Sequence, residues 1–379
     1  MKFRERLTVP DNESEAPITD WERPAMPESK REIISSHLEG PDGTHAQVSV
    51  GVAKEDGMLA WANFYDLDKT LLNAESIHAE AITHIFPEEA ANETSREELL
   101  ATYFAGFKLG NSFREWDRMW RIYREGKAEY RDPAEYEKFL RETTAEISSA
   151  GKTMKQIIDA AGSPEHERAN EILQRYGEAG YQIMKEKYEK DPKKFKDEIL
   201  KPETMDLFRK KTRLGQANVF MTANQKKFAE GLIAFSGLSE YGLALATDET
   251  MEGGGKEVAI EKLIEELGAM GLKVNKNRST GAGDSIIGDV GSGTKTGLRS
   301  GLLVVDTAKD ISSILARAEK NTPDGAELRN IIKNTDVEVI ATKEVNYRKT
   351  ADGGKKYYHG KKSSQKKYLE PGNKTSDSL

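Results

Sequence analysis

Cysteine is absent from this 379-residue chain. Its absence removes disulfides, cysteine-ligated zinc and thiol nucleophiles together, and fits a reducing compartment. Long apolar runs are missing as well. No window approaches 18 uncharged apolar residues, and the N-terminal "MKFRERLTVPDNESEAP" lacks the apolar core of a leader, so a soluble, unexported cytoplasmic protein with no membrane partner is expected. Nor is there an excess of positive charge. Lys and Arg number 57 against 64 Asp and Glu, a net charge of -7, which argues against a chain that binds nucleic acid over its whole surface.

What remains sorts into four parts. Residues 1–57 carry Pro10, Pro17, Pro24, Pro27 and Pro41 among charges and read as a loosely ordered N-terminal extension, with room for a strand at "AQVSVGVA". Residues 346–379 are rich in Lys, Gly and Ser without an apolar period, as in a flexible basic tail. Residues 77–204 read as helix almost throughout. The flanking stretches, 58–76 and 205–345, alternate short apolar runs such as "ANVFMTAN", "GLALATD", "SIIGD", "GLLVVDT" and "VEVIAT" with helical stretches such as "VAIEKLIEELGAMG". Alternation of strand and helix predicts α/β architecture: a Rossmann-like, doubly wound parallel sheet, interrupted after its first strand by an inserted all-helical cap domain.

In such a sheet, ligands sit beyond the carboxyl ends of the strands. "WANFYDLDKTLLNAES" ends its apolar run there with Asp66 and Asp68, one residue apart, where like charges repel. A carboxylate in the first position can attack phosphorus, and one in the second can protonate the leaving oxygen and then activate water. A hard divalent cation, Mg²⁺ above others, would relieve the repulsion and neutralise phosphate charge. An acidic turn capping a helix is the simpler alternative for the same residues. Three further elements favour the chemical reading by their order. Thr222 ends "NVFMT" with a hydroxyl at the same edge. Lys256 follows three glycines at a helix start, where cation and free N–H groups both attract an anion. Asp284 and Asp289 in "GAGDSIIGDVGSG" are candidate metal ligands beside Asp66 and Asp68.

This series resembles the haloacid dehalogenase superfamily of phosphohydrolases, and within it the phosphoserine phosphatase-like group. "NFYDLDKT" matches the family's first motif, "VFMT" its second and Lys256 its third, over about residues 58–76 and 205–306. The resemblance implies Asp66 as nucleophile, Asp68 as acid/base, Thr222 and Lys256 as phosphate clamps, and a requirement for Mg²⁺. The fourth motif, a strand ending in Gly-Asp with a second acid four or five places on, fits two ways. In "GDSIIGD" the acids are Asp284 and Asp289, but "TGAGD" is a poor strand. In "SIIGDVGSG" the strand is good, yet Gly293 stands where the second acid belongs. Strand quality favours Asp289 as the metal ligand that ends the strand, with Asp284 as the second acid.

Other patterns are weaker. "DKTLL" is similar to the DKTGT of ion-pumping ATPases, which need transmembrane helices. "GDVGSGTKTG" separates Gly293 from Lys295 where a phosphate-binding loop needs them adjacent. Haloacid dehalogenases proper lack the second acid of the first motif, so Asp68 favours phosphate. His78 and His84 lie six apart, on different helix faces. Phe113, Trp116, Trp120 and Tyr123 fall at helical spacing with arginines between them, a buried stripe and its charged flank; alternatively Arg114 and Arg118 grip an anionic substrate. Glu75, in "TLLNAES", either meets a substrate amine, as the phosphoserine phosphatase resemblance implies, or favours a helix N-terminus. The expected activity is therefore Mg²⁺-dependent hydrolysis of a small phosphate monoester through an aspartyl-phosphate. The alternative is a catalytically weak relative that binds a phosphorylated ligand or a macromolecular partner. A nucleic-acid role would fall to the basic tail alone, for which a solvated tail is the simpler account.

Overall fold

"ANFYD" and "ANVFM" have no polar alternation, so strands made of them must be covered on both faces. In the computed structural model they are adjacent interior strands of a six-stranded parallel sheet, and every residue of both is buried. The structure describes residues 25–53, 59–108, 116–117, 121, 138–139, 142, 164–251, 255–342, 346–349 and 355–358. The strands of the sheet are β4 (Ala62–Asp66), β5 (Ala217–Met221), β6 (Leu245–Ala246), β8 (Thr280–Gly283), β9 (Ser300–Val305) and β10 (Asp336–Ala341), in the order β10-β9-β8-β4-β5-β6. From β4 the chain proceeds to β5 and β6 on one side, then returns to β8 on the other. The switch point therefore lies between β4 and β8, the place where a doubly wound sheet opens a crevice at its carboxyl edge.

Successive strand residues enter different cores, as a two-residue period requires. Tyr65, Phe220, Leu302 and Val304 face one core, shared with α1 (Glu75–Ile85), α3 (Pro164–Lys190), α5 (Pro202–Arg213) and α6 (Lys226–Ser236). Phe64, Val219 and Met221 face a second, with α7 (Lys256–Ala269). Leu303, Val305 and Val339 face a third, under α8 (Ala308–Ala318) and α9 (Pro323–Asn334). Helices α1, α2 (Glu93–Lys108), α3, α4 (Pro192–Ile199) and α5 all lie between β4 and β5 in the chain, so the sheet is interrupted where the sequence placed the helical block.

Three expectations need correction. The "loosely ordered" residues 1–57 contain a hairpin: β1 (Arg31–Glu39) pairs antiparallel with β2 (His45–Ala53), with a shift of register between Ser35 and Glu39, and Val48, Val50 and Val52 are buried beside Phe64. The alternation in "AQVSVGVA" carries this burial, and the surrounding prolines masked it. "MLAWANFYDLD" is not one strand, because β3 (Leu59–Ala60) pairs with β2 and with β7 (Lys273–Val274) before β4 begins. In the basic tail, Asn346–Lys349 pairs antiparallel with Lys355–Tyr358. Among the described residues, no helix is long and apolar enough to cross a membrane.

Candidate active site

The carboxyl end of β4 delivers Asp66, 5% exposed, into a tight turn. The turn is held by Leu71 and Leu72 amides donating to the Leu67 carbonyl at 3.0 and 2.9 Å and by Lys69 donating to Leu72 at 2.8 Å. Lys69 adopts a left-handed φ of 58°, the only described non-glycine residue to do so. A sharp reversal of this kind lets Asp66 and Asp68 project from neighbouring positions without sharing one site. Thr70 Oγ1 donates to Asp66 Oδ2 at 3.5 Å. The segment returning from α4 braces the turn: Lys201 N donates to Leu71 O at 2.9 Å, Asn73 N to Ile199 O at 2.7 Å, and Lys201 Nζ to Lys69 O.

Asp284 follows β8 across the switch point, and Asp289 lies one turn further on. The ligand atoms of Asp66, Asp284 and Asp289 fall within 4.8 Å of one another. This decides the register of the fourth motif, and against strand quality. "TGAG" is the strand; "IIGDVG", Ile286–Gly291, is a π-helical turn. The reason is a close approach. A Cβ on Gly283 would lie 1.9 Å from Asp289 Oδ2, and one on Gly281 3.2 Å from Asp289 O. The strand is small because the turn folds straight back onto it, so β-propensity loses to packing. Asp289 is fully buried, and its Oδ2 accepts from Ser285 N at 2.8 Å. Asp284 and Asp289 therefore both stand at this edge of the sheet beside Asp66.

Gly255, at φ 77°, turns the chain into α7 so that Lys256 is its first residue. Lys256 Nζ donates to Asp66 Oδ1 at 2.5 Å and to Asp289 Oδ1. Burial opposes its charge, but Asp289 and Asp66 outweigh burial and hold the ammonium well above the usual lysine range. Asp66 is pushed the other way for a carboxylate. Burial first, then the charges of Asp289, Asp284 and Asp68, raise it well above the ordinary range against the pull of Lys256. Burial and the neighbouring Asp289 push Asp284 up to about 6, although the residue is partly in solvent. Three carboxylates facing one ammonium leave negative charge uncompensated. The set is all oxygen, from hard donors, which suits Mg²⁺ rather than a soft metal.

Asp68 does not join that cluster, contrary to its expected place among the metal ligands. Its Oδ1 accepts from His78 Nε2 at 3.2 Å and its Oδ2 from Asn224 Nδ2 at 2.6 Å. Burial would raise the carboxyl, but the charge and hydrogen bond of His78 and the hydrogen bond of Asn224 prevail and hold it below the ordinary range. His78 and Asn224 were not singled out in the sequence as site residues. The only available signal for Asn224 was its position two residues after Thr222, and for His78 its place in the first turns of the helix after the acidic turn.

The remaining expectations fall as follows. Thr222 ends β5 at the same edge, buried, with its Oγ1 accepting from Asn224 N at 3.2 Å. Glu75 is exposed at the first position of α1, where a carboxylate complements the helix dipole. Trp116 is buried, edge-on to Phe86 and Tyr103 at 5.6 and 5.4 Å, and Arg121 Nε donates to Asp117 at 3.3 Å, which bears out the buried stripe and its charged flank at those positions. Arg114 and Arg118 lie outside the described residues.

No family model matches the sequence, and no curated protein matches it. Solved structures do. CbbY from Rhodobacter sphaeroides, in complex with phosphate, aligns at 18% identity over 65% of this chain and 86% of its own, with a TM-score of 0.39. A putative beta-phosphoglucomutase from Thermotoga maritima aligns at 12% identity over 75% and 95%, TM-score 0.40. The putative HAD-hydrolase YfnB from Bacillus subtilis, bound to magnesium, aligns at 15% identity over 65% and 88%, TM-score 0.35. At these identities and scores the functional argument falls to the side chains themselves.

Proposed function

We propose that this chain is a phosphomonoesterase of haloacid dehalogenase type, acting on a small phosphorylated metabolite through an aspartyl-phosphate. One observation carries the reading: Asp66, Asp284 and Asp289 converge beside Lys256 at the switch-point edge of a parallel sheet, with a further carboxylate, Asp68, two residues beyond Asp66.

The residues then divide the work. Asp66 Oδ attacks phosphorus, the P–O bond to the leaving group breaks, and Asp68 delivers its proton to the departing oxygen. A water then attacks the aspartyl-phosphate, Asp68 takes its proton, and phosphate leaves with Asp66 restored. Lys256 and the Thr222 hydroxyl hold phosphoryl oxygens through both steps. Asp66, Asp284 and Asp289 would hold Mg²⁺, which when bound neutralises charge on the phosphoryl group and on the carboxylates. His78 and Asn224 hold the Asp68 carboxyl below the ordinary range, so it takes up a proton from the monoanionic form of the substrate before it acts as the acid of the first step, and it accepts one from water in the second.

The helices between β4 and β5 serve in this reading as a cap domain, 77–204, over a core of 58–76 and 205–345, excluding bulk water and selecting the substrate. Phosphoserine heads the candidate substrates because "TLLNAES" would present Glu75 to an amine; Arg114 and Arg118 are the candidate anion-binding cap residues. The working setting is the cytoplasm, with no membrane or nucleic-acid partner. A panel of phosphate monoesters, phosphoserine, sugar, choline and nucleotide phosphates, assayed with and without Mg²⁺, tests the reading. Mg²⁺-dependent release of phosphate from at least one supports it. No release from any would leave a phosphate-binding protein instead.

A further inference from the structure

His78 is 3% exposed and is not a candidate nucleophile or metal ligand, yet it lies at the centre of a polar chain that runs from the inserted helices to Asp68. Its Nε2 faces Asp68 Oδ1 at 3.2 Å. On the other side its Nδ1 faces the hydroxyls of Tyr176, on α3, and Tyr103, on α2, the latter at 3.2 Å; the two hydroxyls lie 3.3 Å apart. A carboxylate only accepts, so Nε2–H is the donor in the contact with Asp68, while Nδ1 meets two hydroxyls that can either donate or accept. The ring cannot rotate away. It is stacked on Phe228 at 4.7 Å and 18°, and near-parallel to Tyr176 at 6.2 Å and 15°, while Tyr176 and Phe228 stack at 5.0 Å and 4°.

The tyrosine wall is itself fixed by close packing of α3 on α6. A Cβ on Gly177 would lie 1.8 Å from Gln225 Oε1, and one on Gly180 2.1 Å from Phe228 Cδ2. The inserted helix bearing Tyr176 therefore lies against the core helix bearing Phe228 at a separation that only glycine permits. Burial drives both phenols above the usual tyrosine range, so they act as neutral O–H groups and not as bases.

A carboxylate turns readily about its last torsion, which is broad and two-fold. Asp68 is gripped at both oxygens, by His78 at Oδ1 and by Asn224 at Oδ2. A histidine that only filled a core would be satisfied by any nearby acceptor. This one spends its donor on the acid/base carboxylate.

We propose that His78 is a positioning residue for Asp68, and that Tyr103 and Tyr176 set His78, so that the inserted helices control the orientation of the acid/base through one imidazole. This rests on the phosphomonoesterase reading above. Misplacing a general acid matters most where the leaving oxygen needs a proton: an alkyl phosphate depends on it, while p-nitrophenyl phosphate scarcely does.

The test measures leaving-group release in the first turnover, with Mg²⁺, for an alkyl phosphate and for p-nitrophenyl phosphate. His78→Phe should slow the alkyl ester about 100-fold and the aryl ester less than about threefold, in line with the usual contribution of general acid catalysis. His78→Gln, which retains an N–H donor, should recover most of the alkyl rate, and Tyr176→Phe should show the same selectivity at smaller size. Should His78→Phe fail to fold, the Gln and Tyr176→Phe variants carry the comparison. Equal losses on the two esters, no loss, or a His78→Gln as slow as the other variants would overturn the positioning role while leaving the phosphatase reading intact. A wild-type protein inert towards both esters and the wider panel would overturn both.

Discussion

One ammonium joins two acids that are distant in sequence: Lys256 Nζ lies 2.5 Å from Asp66 Oδ1 and also donates to Asp289. Both carboxylates are buried, so their charge depends on this partner. Lys256→Met should therefore destabilise the metal-free protein by roughly 3 kcal/mol, the cost of leaving buried carboxylates uncompensated. Urea unfolding with and without Mg²⁺ checks this, and Mg²⁺ should restore part of the loss. Unchanged stability in both conditions would mean that Lys256 does not hold the two carboxylates together.

Metal dependence separates the two acids of the fourth motif. Asp284→Ala should raise the Mg²⁺ needed for half-maximal rate about tenfold or more with little change in the fold, because the residue is exposed. Asp289→Ala should raise it further and also lower the melting temperature, since Asp289 accepts from Ser285 N and is fully buried. A Mg²⁺ titration unmoved by either variant would remove both from the site.

Gly283 supplies a steric check on the same motif. A methyl at that position meets Asp289 Oδ2 at 1.9 Å, and the carboxylate it meets is tied to Ser285 N through Oδ2 and to Lys256 through Oδ1. Gly283→Ala should weaken both stability and Mg²⁺ dependence, whereas Gly268→Ala, in α7 with open space around it, should leave Mg²⁺ dependence unchanged and stability equal or slightly higher. Thermal melts of the two variants with and without Mg²⁺ measure the contrast.

Asp284 also gives a signed dependence on pH. Its carboxyl is raised from an ordinary 3.8 to about 6 in the folded chain, by burial first and Asp289 second. Above pH 6 it is ionised in both states and the folded protein carries the full cost. Between about 6 and 4 the folded state binds more protons than the unfolded, and the cost fades. Asp284→Asn should therefore be more stable than wild type above pH 6 without Mg²⁺, by less than about 1 kcal/mol because solvent screens the group. The gain should vanish near pH 4. A gain that instead grows as pH falls would reverse the assigned shift.

The sheet and the position of the helical block were legible in the sequence, because apolar runs alternate with helical stretches. An apolar run meeting a polar residue marked the strand ends at Asp66 and Thr222, and three glycines marked the helix start at Lys256. The register of the fourth motif was not legible, since "TGAG" forms a strand for packing reasons that β-propensity does not score, while "SIIGD" has the better composition and forms a π-helical turn. The β1–β2 hairpin was obscured by the prolines around it. His78 was set aside on spacing to other histidines. Its partners, Asp68, Tyr103 and Tyr176, come from three separate elements, and only the fold brings them together.

The central claim is that Asp66 carries the phosphoryl group between two half-reactions. Asp68→Asn lacks the base for the second, so it should accumulate the intermediate. The decisive measurement is rapid quench of this variant with p-nitrophenyl phosphate and Mg²⁺, followed by peptide mapping of the phosphorylated site. The account predicts a hydroxylamine-labile phosphoryl group on the peptide carrying Asp66, absent from an Asp66→Asn control that releases no phosphate and keeps its melting temperature. Phosphate release by a folded Asp66→Asn protein at the wild-type rate, or a phosphoryl group on any other residue, would contradict it.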